Sequence, residues 1–325
     1  MKIPRRKFLH LAAGAAALPV VSRVARAQAY PTRPVRIIVG FAPGGTSDIV
    51  ARLIGPWLSE RLGQPFIIEN RPGAASNIAT EAVVRAPVDG YTLLVVQASN
   101  FVNATLYDKL NYNFIRDIAP VAGVIRYPNV IVVNPSLPIN TVPELIAYAK
   151  ANPGRLNYPS GGSGTTGHMA GELFKMLTGV NIVHVPYRGE ALGLTDLLGG
   201  QVQVMFGTTT ASMEHIKAGK LRALAVTSTS RSEFLPSLPT VGEFVPAYEV
   251  SSVQGIAAPK NTPVDIIEKL NKEINAGLAD ARLKARFADL SAAAFPSSPA
   301  DFGKFIVDET EKWAKVVKFS GAKPD

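Results

Sequence analysis

The chain has 325 residues, 34 Lys and Arg against 25 Asp and Glu, a formal net charge of +9 and no cysteine. Without cysteine there is no disulfide framework, no thiolate zinc site and no thiol nucleophile. Residues 1–29 hold Lys2, Arg5, Arg6, Lys7, Arg23 and Arg26 and no acid, so subtracting these six from +9 leaves +3, and no basic run with interleaved aromatics remains to bind nucleic acid.

Residues 1–29 read as an export signal. A basic head precedes an apolar stretch at 8–21 that is short for a bilayer span, and Ala25-Arg26-Ala27 or Ala27-Gln28-Ala29 offers small residues for cleavage. Arg5-Arg6 before Lys7-Phe8-Leu9 resembles a twin-arginine signal, with the general secretory route as the alternative. A periplasmic protein is expected, and the remaining chain of about 295 residues is long enough for two domains with separate cores.

The next elements alternate strand and helix. Apolar residues 35–39 predict a strand that stops at Gly40-Phe41-Ala42-Pro43-Gly44-Gly45-Thr46-Ser47-Asp48. Ile49, Val50, Leu53 and Ile54 then recur at helical spacing, and Thr46, Ser47 and Asp48 are candidate caps. Glycines that let a ligand approach the backbone, followed by a helix N-terminus, make a candidate carboxylate or phosphate site. Asp48 reads equally as a helix-stabilising residue and as a contact for ligand or water. Strand-like 66–69, helical 78–85 and strand-like 92–96 follow, punctuated by Asn70-Arg71-Pro72-Gly73, Asp89-Gly90 and Gln97-Ala98-Ser99-Asn100. This is a βαβαβ order, which implies a parallel sheet with ligands at the carboxyl ends of its strands. Apolar runs at 121–125 and 130–133 predict one long strand or a crossover to a second unit.

The second unit opens at Thr141-Val142-Pro143-Glu144, which reads as a capping box. Strand-like 156–158 runs into Ser160-Gly161-Gly162-Ser163-Gly164-Thr165-Thr166-Gly167-His168, a second glycine and hydroxyl turn before a helix. Two such turns suggest two lobes facing each other across a cleft, each giving a helix N-terminus to one anion. Strands near 182–185, 202–206 and 221–226, a helix at 191–198 and a strand at 251–258 complete the series, with only helices expected beyond. Those helices return to the first unit, so the expected division is 30–128 plus 252–325 for one domain and 129–251 for the other, with two crossovers forming a hinge.

Several motifs together resemble the Bug family of extracytoplasmic solute receptors, which serve tripartite tricarboxylate transporters. They are Phe41-Ala42-Pro43-Gly44-Gly45-Thr46-Ser47-Asp48, Glu69-Asn70-Arg71-Pro72-Gly73-Ala74, Asp89-Gly90-Tyr91-Thr92-Leu93, Gly161-Gly162-Ser163-Gly164-Thr165 with His168, His184-Val185-Pro186-Tyr187-Arg188-Gly189, and Asp196-Leu197-Leu198-Gly199-Gly200-Gln201-Val202. The resemblance covers nearly all of the chain after residue 29. It implies an α/β fold of the two-lobed periplasmic binding protein type, with two mostly parallel sheets flanked by helices and a central cleft. It also implies a non-enzymatic receptor that needs no cofactor, acts as a monomer and delivers a small carboxylate to membrane subunits. The candidate ligand contacts are Phe41, Ala42, Gly44, Gly45, Thr46, Asp48, Gln97, Ser99, Asn100, Ser160, Gly162, Ser163, Gly164, Thr165, Thr166, His168, Tyr187, Arg188 and Thr208. One departure concerns the strand ending at Phe206, after which many relatives carry Asp-Asn and this chain carries Gly207-Thr208-Thr209.

Rival readings are weaker. Gly162-Ser163-Gly164-Thr165-Thr166-Gly167 with Glu190 further on fits a dinucleotide fingerprint, yet leaves the Gly44 turn unexplained. Thr165 breaks the GxSxG pattern of a hydrolase around Ser163, and the histidines lack zinc spacing. An exported α/β enzyme with a hinged cleft is the alternative. Because the two turns contain no Lys or Arg, a mono- or dicarboxylate is expected over citrate, with Arg188 taking a second carboxylate.

Overall fold

A computed structural model describes residues 30–324; the export segment expected at 1–29 lies outside the described residues. The first strands and helices are β1 (Val35–Val39), α1 (Thr46–Leu62), β2 (Phe66–Asn70), α2 (Asn77–Val84), β3 (Thr92–Val96), α3 (Ala98–Leu106), α4 (Phe114–Asp117) and β4 (Ile118–Val133). They continue with α5 (Val142–Ala151), β5 (Asn157–Ser160), α6 (Thr166–Thr178), β6 (Val183–Pro186), α7 (Glu190–Leu198), β7 (Val204–Thr208), α8 (Thr209–Lys217) and β8 (Arg222–Val226). The last are β9 (Ser251–Pro259), α9 (Val264–Ala279), α10 (Ala281–Asp289), β10 (Ala293–Ala294) and α11 (Pro299–Ser320).

β1 is buried except at Arg36, as a strand covered on both faces must be. α1 buries Val50, Ala51, Ile54 and Leu58 on one stripe and ends at Gly63, whose φ of 74° is the left-handed conformation glycine adopts without strain. Its N-cap is Gly45, with no side-chain cap, so Thr46, Ser47 and Asp48 do not cap the helix as expected. At α5, Thr141 caps Glu144 at 3.2 Å, but the Glu144 carboxylate takes the Asn140 amide at 2.7 Å, so the expected box is only half formed.

The two apolar runs at 121–125 and 130–133 are one strand. β4 is 16 residues long, and it changes partner along its length. Up to Pro128 it lies antiparallel to β9; from Asn129 it lies antiparallel to β7. The main order is β10-β4-β9-β3-β1-β2, with β7 and β8 on the far half of β4 and β5-β6 a separate pair. Among the described residues, parallel pairing between strands is confined to β1-β2, β1-β3 and β5-β6, with one isolated parallel bridge from Val226 to Thr240. The sheets are therefore mixed rather than mostly parallel, because β4 and β9 run back against the strands they join. The expectation that only helices follow β9 fails at the short β10, which pairs with β4.

One core cluster runs from Ile38, Leu94 and Phe101 to Tyr158, Phe174 and Phe206, with Trp313 of α11 among them. α9 packs on α1 and β4, whereas α11 packs on α3, β4 and also α6, so the last helix spans both halves rather than covering the first alone. The residues between β4 and the carboxyl ends of β1, β3, β5 and β7 are left to form the site.

Candidate functional site

The N-termini of α1, α3, α6, α7 and α8 converge on one cavity of about 1290 Å³, lined among others by Thr46, Ser47, Ala98, Ser99, Thr166, Gly167, Glu190, Ala191, Thr210 and Ala211. Helix first turns leave backbone N–H groups without intrahelical acceptors and concentrate a partial positive charge. Side chains satisfy some of these ends: the Thr208 hydroxyl accepts the Ala211 amide at 3.2 Å in α8. The α1, α6 and α7 ends have no such cap. Gly45 has no side chain to offer, and the Thr165 hydroxyl donates instead to the Gly162 carbonyl at 2.8 Å.

The two glycine turns are built by the same device. Asp48 Oδ2 accepts the Gly44 amide at 2.9 Å, and His168 Nδ1 accepts the Gly164 amide at 3.1 Å, each acceptor four residues on. Gly44 and Gly164 have φ values of 89° and 79°, where a side chain is strained. Asp48 is held further by Arg52 at 2.9 Å and Asn70 at 3.0 Å. The Arg52 hydrogen bond is the main reason its carboxyl pKa falls to about 2. His168 is 3% exposed and stacks on His184 with ring centroids 3.8 Å apart; burial, then His184, lowers its pKa to about 3.

Fourteen of the expected contacts line the cavity: Phe41, Ala42, Gly44, Gly45, Thr46, Gln97, Ser99, Ser160, Gly162, Thr165, Thr166, Tyr187, Arg188 and Thr208. Asp48, Asn100, Ser163, Gly164 and His168 do not. Asp48 and His168 face the loop amides they hold, Asn100 accepts the Gln97 amide at 2.8 Å, and Gly164 lies against α3, where an added Cβ would sit 2.8 Å from Leu106 Cδ2. Its amide and that of Gly44 are already used, so neither is the free anion donor the sequence suggested.

The sequence reading missed Ser47, Tyr127, Asn129, Glu190, Ser252 and Gln254 as lining residues. Ser47 donates to Gln97 Oε1 at 2.6 Å, which leaves Gln97 Nε2 buried without a partner. Asn129 binds the Phe206 carbonyl at 3.0 Å and accepts from Ser252 at 3.0 Å, joining β4, β7 and β9 at the cavity floor. Tyr127 is raised above the ordinary phenol pKa mainly by burial. Two of these had a local signal, Ser47 within the turn at 41–48 and Glu190 directly after Tyr187-Arg188-Gly189.

Comparison with known proteins bears on this geometry. The family profile described as tripartite tricarboxylate transporter family receptor matches residues 50–321. The chain belongs to that family. The receptor is 38% identical over 300 residues to protein BugT of Bordetella pertussis, covering 91% of this chain and 92% of that one. A protein from R. palustris solved with adipate superposes with a TM-score of 0.82 at 39% identity, covering 91% of the receptor and 100% of that chain. MatC from Rhodopseudomonas palustris with bound malate gives 0.79 at 30% identity, covering 89% of the receptor and 100% of that chain. The α/β two-domain binding-protein fold is shared with these structures, and the family consists of receptors, not enzymes.

Proposed function

We propose that this protein captures a small organic acid, with one or two carboxylates, between two lobes and hands it to the membrane subunits of a tripartite tricarboxylate-type transporter. The observation that carries the reading is that each of the two glycine turns leads into a helix N-terminus without a side-chain cap, α1 and α6, at one cavity. Relatives solved with adipate and with malate support a carboxylate as the bound group. The lobes are 30–128 plus 252–325 and 129–251, with β4 and β9 as crossovers and the protein acting as a periplasmic monomer. No helix among the described residues is long and apolar enough to cross a membrane.

Arg188 is exposed at the cavity edge and takes a second carboxylate where the ligand has one. Helix ends each supply about half a positive charge, too little for a bulky trianion in a closed site. The test is calorimetry of the processed protein against succinate, malate, adipate and citrate. One-to-one binding of a mono- or dicarboxylate without turnover is the expected result, with Arg188→Ala weakening dicarboxylates. Turnover, or tight citrate binding that survives Arg188→Ala, sinks this assignment.

A further inference from the structure

Glu190 opens α7 and lines the cavity. Its Oε1 accepts the Thr208 amide at 2.6 Å and its Oε2 the Thr208 hydroxyl at 3.0 Å. Gly207 gives it room, since a Cβ at that position would lie 3.3 Å from Glu190 Oε1. These donors are neutral, and among the described residues no Lys or Arg pairs with Glu190. Burial pushes its carboxyl pKa upward, with the two Thr208 bonds opposing. A carboxylate in a cleft that closes needs a positive partner; the start of α7 lends it the partial charge of a helix end, and among the described residues no side chain supplies a full one.

The walls at α1 and α6 bring donors and no carboxylate to the cavity. The uncapped ends of α1 and α6 point positive dipole ends at the same space, and buried Gln97 Nε2 is a donor with no protein acceptor. The cavity is therefore polarised, with donors for an anion on one side and an acceptor for a cation on the other. Building on the receptor reading above, we propose that the ligand is zwitterionic, an amino acid whose carboxylate meets the α1 and α6 N-termini and whose ammonium donates to Glu190. A diacid without an amine, even with its second carboxylate on Arg188, leaves the Glu190 carboxylate in the closed cleft with no full positive charge to meet it. Leu194 and Met205, which also line the cavity, give the carbon chain an apolar surface.

The experiment is calorimetry at pH 7 with matched pairs on one carbon skeleton: succinate against aspartate, glutarate against glutamate, adipate against 2-aminoadipate. In at least one pair the amino acid binds tenfold or more tighter than its deaminated counterpart. Glu190→Gln removes that preference by weakening the amino acid, and leaves the plain diacid as strong or stronger. Wild-type protein that binds a plain diacid as tightly as its amino counterpart in every pair overturns the zwitterion assignment while the receptor reading stands. An unchanged ratio in folded Glu190→Gln does the same. No binding by either series overturns both.

Discussion

Asp48 and His168 carry most of the new information among single residues, because each fixes a turn from behind rather than touching the cavity. Asp48→Ala releases the Gly44 amide and the Arg52 pair together, and losing hydrogen bonds to a charged group costs about 1.5–3 kcal/mol. Both stability and ligand affinity are expected to drop, and calorimetry with unchanged affinity would remove Asp48 from the turn. His168 makes a pH prediction. Its folded pKa of about 3 lies below the ordinary 6.5, so its neutral form favours the native state fully above pH 6.5. That contribution declines as pH falls from 6.5 toward 3, because the unfolded chain takes up the proton first, at about 1.4 kcal/mol per pH unit. His168→Gln keeps an acceptor for Gly164 and removes this slope. Denaturant melts at pH 7 and pH 5 in which wild type and variant lose equal stability would contradict the assignment. Neither role was legible in the sequence, since an acceptor four residues beyond a glycine is recognised only when the turn brings it back.

At the scale of elements, the glycine turns, the alternation of strand and helix and the helix ends were readable from local pattern. The pairing of the floor strands was not. Tyr127, Asn129, Ser252 and Gln254 reach the cavity only because β4 and β9 pair across the middle of the molecule, with Tyr127 opposite Ser252. No periodicity in 121–133 announces that. The mixed sheet was missed for the same reason, as direction is set by pairing and not by composition. The uncapped α1 end yields a prediction. Gly45 has φ −78° and ψ 166°, an extended N-cap conformation open to any residue, and an added Cβ meets only the Ala42 carbonyl oxygen at 3.8 Å. Gly45→Asp places an internal carboxylate where the ligand's is expected, so it stabilises the helix by about 0.3–1 kcal/mol while lowering ligand affinity tenfold or more. A raised melting temperature with unaltered affinity would mean that the anion binds elsewhere.

For the molecule as a whole, the question is whether the proposed lobes move. The contact that reports on this is Gly164, because the second turn there meets Leu106, Asn103 and Val102 of α3, which belongs to the proposed first lobe. A valine is strained at φ 79° and drives its Cβ to 2.8 Å from Leu106 Cδ2, closer than carbon atoms approach. The Leu106 side chain or α3 must yield, or the lobes stay apart. Ligand favours closure only through contacts it makes to both lobes at once, so a variant that resists closure loses affinity without losing any cavity-lining group. Small-angle scattering of wild-type protein is expected to show a smaller radius of gyration with saturating ligand. Gly164→Val is expected to stay expanded and to bind at least tenfold more weakly, with a thermal midpoint near that of the ligand-free wild type. The sequence placed Gly164 among the ligand contacts, and its packing against α3 assigns the same loss of affinity a different cause. Full compaction of Gly164→Val together with weakened binding would return that glycine to the ligand site, and no compaction of the wild type would argue for a rigid cleft.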